Sequence, residues 1–213
     1  MHLRPSAKGL LAALALFAMA GALTADAKGG TLTCVGLYSE TDAGYVSYRL
    51  PAKAWVVVKV GDVIPAAAEV RVNVDRDWVE FIRTGAPAAV YEIDGPESGE
   101  TIKKVADILK EKPRAVVFPK GSAKAPDAKF KDKLVVVQYL GRQIYFNADG
   151  DSSDIRYGST LDAKGTVSII GINNTLKLMN ANEAVTTIIG PLKFGVEKVL
   201  TNQSLYKFLN VQK

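Results

Sequence analysis

The chain has 213 residues, of which 48% are hydrophobic, enough to bury one or two cores. Its net charge of +5 is too small an excess to mark a nucleic-acid binder. A single cysteine excludes an intramolecular disulfide, so stability must come from burial.

Residues 1–27 read as a secretory leader. Arg4 and Lys8 form the positive start, residues 10–20 the apolar stretch, and Ala25-Asp26-Ala27 a small-x-small cleavage site. An apolar stretch of about 11 residues is short for a membrane span. The mature chain is therefore expected to begin near Lys28, after cleavage near Ala27, and to be periplasmic or secreted. No later segment is long and apolar enough to cross a bilayer. The one histidine, His2, leaves with the leader. That removes Ser-His-Asp and Cys-His catalysis and His-ligated zinc. Neither an enzyme nor a cofactor is expected.

Past the leader, Leu32-Thr33-Cys34-Val35 reads as a strand with a buried, inert thiol. Residues 70–75 alternate apolar and polar, Arg76-Asp77 signals a tight turn, and 78–82 return as the second strand of a hairpin. Asp75 and Asp77 could suggest a carboxylate pair for acid–base work, but turn residues with one surface ion pair are the simpler reading. Residues 89–93 alternate again and stop at Gly95 and Pro96, where proline removes a ladder donor. Ile102, Val105, Ala106 and Leu109 fall at helical spacing and predict a helix over 101–110, ended by Pro113.

Residues 110–133 carry eight Lys or Arg against three acids, interrupted by Pro113, Pro119, Gly121 and Pro126. This is the composition of a basic linker or long surface loop. Lys120, Lys124 and Lys129 are also candidates for contact with an anionic polymer, lipid headgroups or an acidic protein face. Val116-Val117-Phe118 is a candidate short edge strand tucked back onto a domain.

Shifted by 97 positions, the chain aligns with itself: 44–82 lie without a gap over 141–179. Gly44 meets Gly141, Tyr48 meets Tyr145, Gly61 meets Gly158, and Val72 meets Ile169. After a two-residue slip, residues 88–96 lie over 183–191, so that Gly95-Pro96 meets Gly190-Pro191. Spaced turn glycines and a shared apolar pattern are the mark of two copies of one unit. In the second copy, 167–169 and 176–178 flank Asn173-Asn174 and predict the same hairpin, with asparagine tolerating the positive φ of its turn. Residues 196–200 are a short counterpart of the helix, of either type, and 204–211 a terminal strand or short helix.

Two clusters remain. Asn147, Asp149, Asp151 and Asp154 place oxygens around Gly150 in a way that suits calcium, but no glutamate completes an EF-hand, and an ordinary polar turn is simpler. No metal is expected. Trp55, Trp78 and Tyr45, with Tyr48 and Tyr91, concentrate in the first copy. Trp55 and Trp78 become Ser152 and Thr175 in the second, so the shared core does not need them. A surface platform, a contact between the copies, and core packing all remain open.

Lys59-Val60-Gly61-Asp62-Val63-Ile64, Ala68-Glu69-Val70-Arg71-Val72 and Trp78-Val79-Glu80-Phe81 together resemble the FecR-like extracytoplasmic domain. Tyr157-Gly158-Ser159-Thr160-Leu161 and Gly165-Thr166-Val167 resemble a second, weaker version. The resemblance covers about 50 residues per copy, in the range of a small domain. It implies a non-catalytic part of a bacterial envelope assembly and supplies no catalytic residue. The chain lacks the family's anti-sigma segment, so a free-standing role fits better than transmembrane signalling.

The expected architecture is mainly β. Two tandem β-rich copies, sandwich- or barrel-like, occupy 28–112 and 133–213, with one short helix after the first copy and 113–132 between them. Whether they form one body or two is open. The expected function is a scaffold with an envelope protein partner, or alternatively a carbohydrate- or peptidoglycan-binding module. Glycan or another anionic polymer is a possible ligand; nucleic acid is not.

Overall fold

The computed structural model describes residues 30–38, 46–73, 77–122, 124–193 and 195–209. The expected leader with His2, together with Gly44, Tyr45, Asp75 and Arg76, lies outside the described residues. The first half contains β1 (Thr31–Tyr38), β2 (Val46–Arg49), β3 (Val56–Val57), β4 (Val63–Pro65), β5 (Glu69–Val72), β6 (Trp78–Arg83), β7 (Ala86–Asp94), β8 (Thr101–Lys104) and α1 (Val105–Ile108). A two-residue strand, β9 (Arg114–Ala115), follows in the basic stretch. The second half contains β10 (Lys133–Phe146), β11 (Ser152–Asp154), β12 (Thr160–Asp162), β13 (Thr166–Met179), β14 (Val185–Ile189), β15 (Glu197–Leu200) and α2 (Asn202–Leu209). The chain is mainly β, as its alternation predicts.

The larger sheet runs β14-β13-β10-β1-β6-β7-β9, with β4 added to β1, β11 and β12 to β10, and β15 to β13. The smaller sheet runs β3-β2-β5-β8. This topology corrects the predicted hairpins. β5 pairs with β2 and β8, whereas β6 pairs with β1 and β7 in the other sheet. Val72 and Trp78 therefore lie in different sheets. In the second half, the segments expected to form a hairpin are one 14-residue strand, β13. Asn173 does take a positive φ, 57°, but as a bend within that strand. Alternation records which side chains are buried and is blind to which neighbour a strand chooses.

The helix predicted over 101–110 is also corrected. Residues 101–104 add to β5 as a strand, and only 105–108 are helical, burying Val105 and Ile108. A free ladder edge outweighs helical spacing here, since a short isolated helix is marginal without packing. The counterpart at 197–200 is likewise a strand, and the terminal element is a helix.

The pairing registers of the first half recur in the second. Val46↔Val72 and Tyr48↔Val70 return as Gln143↔Ile169 and Tyr145↔Val167. Cys34↔Phe81, a bulge, then Gly36↔Glu80 return as Val136↔Leu178, a bulge, then Gln138↔Lys177. Turn contacts return as well. The Gly61 N–H donates to Cys34 O, and the Gly158 N–H to Val136 O, both at 2.8 Å. Before Pro96 the Gly95 N–H donates to Asp77 O at 2.6 Å; before Pro191 the Gly190 N–H donates to Asn174 O at 2.7 Å. Gly61 and Gly158 both hold positive φ, 98° and 79°, which their turns require.

The halves meet edge to edge. β1 and β10 pair in parallel, Gly36↔Tyr139 and Leu37↔Leu140. By the ladder registers, Gly36 corresponds to Gln138 and Leu37 to Tyr139. Partners are thus offset by one residue from equivalents. A half-turn about an axis along the strands demands this offset, because it exchanges the faces of the sheet and side chains alternate between faces. Strand order is the same read outward from the seam in either direction, β1-β6-β7 and β10-β13-β14, with one junction on each side.

Two buried clusters lie about the seam. One, with Leu32, Val70, Phe81 and Ile93, fills the first half. The other, with Leu134, Leu161, Ile169 and Leu176, fills the second and extends to Tyr38 and Trp78. The basic stretch is a strap over this surface. β9 pairs with β7, Val116 and Phe130 are buried, and the Asp127 N–H donates to Ala181 O at 2.9 Å.

Candidate functional site

At the first junction the chain's own side chains close the space. Trp78 is buried, stacks on Tyr38 at 3.6 Å between ring centres, and lies under the Arg156 guanidinium at 3.6 Å. Its indole N–H donates to the Tyr139 hydroxyl at 2.6 Å. Tyr139 can cross the seam because Gly36 stands opposite; a Cβ there would overlap the tyrosine ring. Glu80, wholly buried, takes an ion pair from Arg114 and the Tyr157 N–H at 2.7 Å. Arg156 reaches Glu92 at 2.6 Å. A buried carboxylate needs such partners, since desolvation otherwise outweighs its attraction to a single charge.

Titration follows this packing. Burial is the main cause that lifts the Glu92 carboxyl from 4.5 to about 7; Arg156 opposes it, and the charges of Glu80 and Asp94 add to it. Burial, then the charge of Glu80, pushes Tyr157 up to about 12, and the same two causes raise the Tyr139 hydroxyl well above its ordinary value. Cys34 is also pushed up by burial, as expected of an inert core thiol.

The second junction is open. A cleft of about 860 Å³ lies between Leu37, Val46 and 57–60 of the first half and Gln138, 140–142, 170–172, Asn174, Thr175, Lys177 and Thr187 of the second. That volume is within the range of ligand-binding clefts. Its lining is largely aliphatic, contains Lys59, Arg142 and Lys177, and contains no acid. Among the described residues none of the three cations has an ion pair, and the Arg142 Nε is buried without a hydrogen-bond partner. Buried donors normally find an acceptor, so the cleft is electrostatically incomplete.

The registers make the two junctions comparable residue by residue. Where the closed one has Trp78, Glu80, Arg156, Tyr157 and Glu92, the open one has Thr175, Lys177, Lys59, Val60 and Thr187. Tyr38 and Tyr139 are matched by Leu140 and Leu37. Four rings are lost, and both carboxylates become a lysine and a threonine. These losses make the cleft and leave it cationic.

The structure does not unite the residues singled out in the sequence. Trp78 belongs to the closed junction and has no open face for a glycan, which corrects its place among binding residues. Trp55 is half-buried beside the smaller sheet, with the Arg49 and Arg71 guanidiniums 4.4 and 4.3 Å from its ring centre. Tyr45 lies outside the described residues. Lys120, Lys124 and Lys129 are exposed on the strap, where Asp127 accepts from the Lys120 and Lys129 backbone N–H groups and shapes the loop. Asn147 Oδ1 accepts from the Asp149 and Asp151 N–H groups, an Asx turn. Asp149, Asp151 and Asp154 do not gather into a cation site among the described residues. Lys59, Arg142, Lys177 and Thr175 escaped sequence reading because each is ordinary alone. The aligned substitutions Glu80 over Lys177 and Trp78 over Thr175 carried the signal.

Comparison with known proteins finds no matching family model, curated protein or solved structure.

Proposed function

We propose that the protein is a non-catalytic, exported scaffold of the bacterial cell envelope that holds a protein partner at its open junction. The observation that carries this reading is the pair of unequal junctions. One is completed by the chain itself, and the other presents aliphatic walls and three cations that have no ion pair among the described residues. The leader-like residues 1–27 and the FecR-like segments supply the compartment and the class. Glu92, Tyr139 and Tyr157, whose titration burial displaces, are engaged in holding the halves together, which favours binding over catalysis. The glycan alternative needs Trp55 and Trp78 on one open face, and they sit in different places.

The test is cross-linking of the chain from Lys28 onward in its native envelope, beside Lys177→Glu and a variant with Lys120, Lys124 and Lys129 changed to Gln. One dominant protein, lost with Lys177→Glu, is the expected result. Loss only with the strap variant moves the contact to the basic stretch. Recovery of glycan alone, or of nothing, overturns the scaffold reading.

A further inference from the structure

The closed junction contains a worked example of how an extended segment docks on this fold. β9 pairs with the outer edge of β7, Val90↔Arg114 and Ala89↔Ala115, and the Val116 N–H donates to Ala88 O at 3.0 Å. Arg114 reaches inward to Glu80 and to Tyr157 O. Val116 then packs over Gly158, where any Cβ would overlap it. Phe118 meets the Tyr157 ring edge-on at 5.4 Å. Residues 114–118 thus fill an edge, a charge, a notch and an apolar wall in turn.

Each of these features has a counterpart at the open junction, and there it is vacant. β14 is the counterpart of β7, and among the described residues no strand pairs with its outer edge. Val185 corresponds to Val90 and is 52% exposed, against 1%. Gly61 corresponds to Gly158, and a Cβ there would meet nothing within 4 Å. Val60 stands for Tyr157, and Lys177 for Glu80. An exposed apolar strand edge is a template for another chain.

We propose that the outer edge of β14 and the notch at Gly61 receive an extended segment of a partner polypeptide with the pattern acid-x-small apolar-x-aromatic. The acid takes the position of Arg114 because the charge facing it has reversed from Glu80 to Lys177, with Lys59 and Arg142 in the same cleft. The small apolar residue takes the position of Val116 and the aromatic that of Phe118. A second copy of this chain does not fit. Its own 114–118 segment carries arginine and is already engaged. The proposal rests on the scaffold reading and specifies the partner's contact.

Two capped peptides test it: PRAVVFP, residues 113–119 of this chain, and PEAVVFP, in which glutamate replaces the arginine. Titrated into the folded protein at low salt, PEAVVFP should bind about tenfold more tightly than PRAVVFP, as expected for a reversed charge at a partly buried contact. The amide resonances of Gly61 and Val185 should move. Lys177→Glu, with near-ultraviolet dichroism showing an intact fold, should invert the preference. N-methylation of the first valine removes the donor equivalent to the Val116 N–H and should abolish binding. Equal binding of both peptides, or a preference untouched by Lys177→Glu, overturns the proposal. So does phenylacetate binding at least as tightly without moving Val185, which would make the cleft a small-anion pocket. Should peptide preference be absent while envelope capture still depends on Lys177, the segment pattern fails and the scaffold reading stands. Should both be absent, both fail.

Discussion

The two junctions are built on the same ladder registers, the same bulges and the same glycine turns, yet one is a packed clasp and the other an open cleft. Backbone pairing and turn geometry therefore set where the halves meet, while a few side chains decide whether the meeting place is filled. Each large or acidic residue of the clasp is matched across the seam by something smaller or basic. The comparison separates two jobs usually blended in one interface: holding the molecule together, and leaving room for something else.

The largest test of this division is Trp78→Ala set against Thr175→Ala. Losing a buried, stacked and hydrogen-bonded indole should cost about 4 kcal/mol, and the threonine change under about 1 kcal/mol. Urea denaturation of both variants decides it; similar losses would mean the open junction is as structural as the closed one. Next in size is Arg114→Ala, which leaves buried Glu80 short of its counter-charge and should cost about 3 kcal/mol. Lys177→Ala removes a cation without an ion pair and should change stability by less than about 0.5 kcal/mol. A destabilisation by Lys177→Ala matching that of Arg114→Ala would refute the asymmetry. Gly61→Ala and Gly158→Ala share the strain of a left-handed backbone, about 1 kcal/mol, but only the second drives a methyl into Val116, adding about 2 kcal/mol. Thermal unfolding of the pair reports directly on whether the Gly61 notch is empty.

The smallest effect is one of pH. The Glu92 carboxyl is raised in the folded state from 4.5 to about 7, so the fold holds its proton more tightly than the unfolded chain does. Its stabilising contribution is full below about pH 4.5 and is lost as pH rises through about 7. The difference in urea midpoint between wild type and Glu92→Gln should fall across that window and be level outside it. A difference that grows with pH would mean that Arg156 holds the carboxylate ionised. The equivalent Thr187 has no charge to lose, and Thr187→Val should show no such window.

Much of the scaffold could be read in the sequence, because spaced glycines and alternating apolar residues record turns and buried faces directly. Gly61 and Gly158 were legible as equivalent turns for that reason. Strand partners were not legible. Residues 70–72 and 78–82 look like a hairpin in any window, and only the three-dimensional competition for edges sends them to different sheets. Residues 101–104 show the same limit, where helical spacing yields to the edge of β5. The open cleft was harder still. Trp78 looks like a platform by type and is a keystone by position, whereas Lys59, Val60 and Thr175 carry no motif. Their meaning comes from what stands opposite them across the seam.

The parallel seam also governs the order in which the molecule can be assembled. β4 covers the start of this edge of β1, but Gly36 and Leu37 are closed only by β10, ~100 residues later, so that part cannot be satisfied until most of the chain is present. A growing or emerging chain must carry Gly36 and Leu37 with one side unpaired, beyond the Thr31–Thr33 stretch that β4 covers, an invitation to pair with a neighbouring chain. Such long-range pairing makes folding slow. The first half is thus a poor candidate for autonomous folding, and a chain stalled before Lys133 should be prone to aggregate rather than wait as a finished domain.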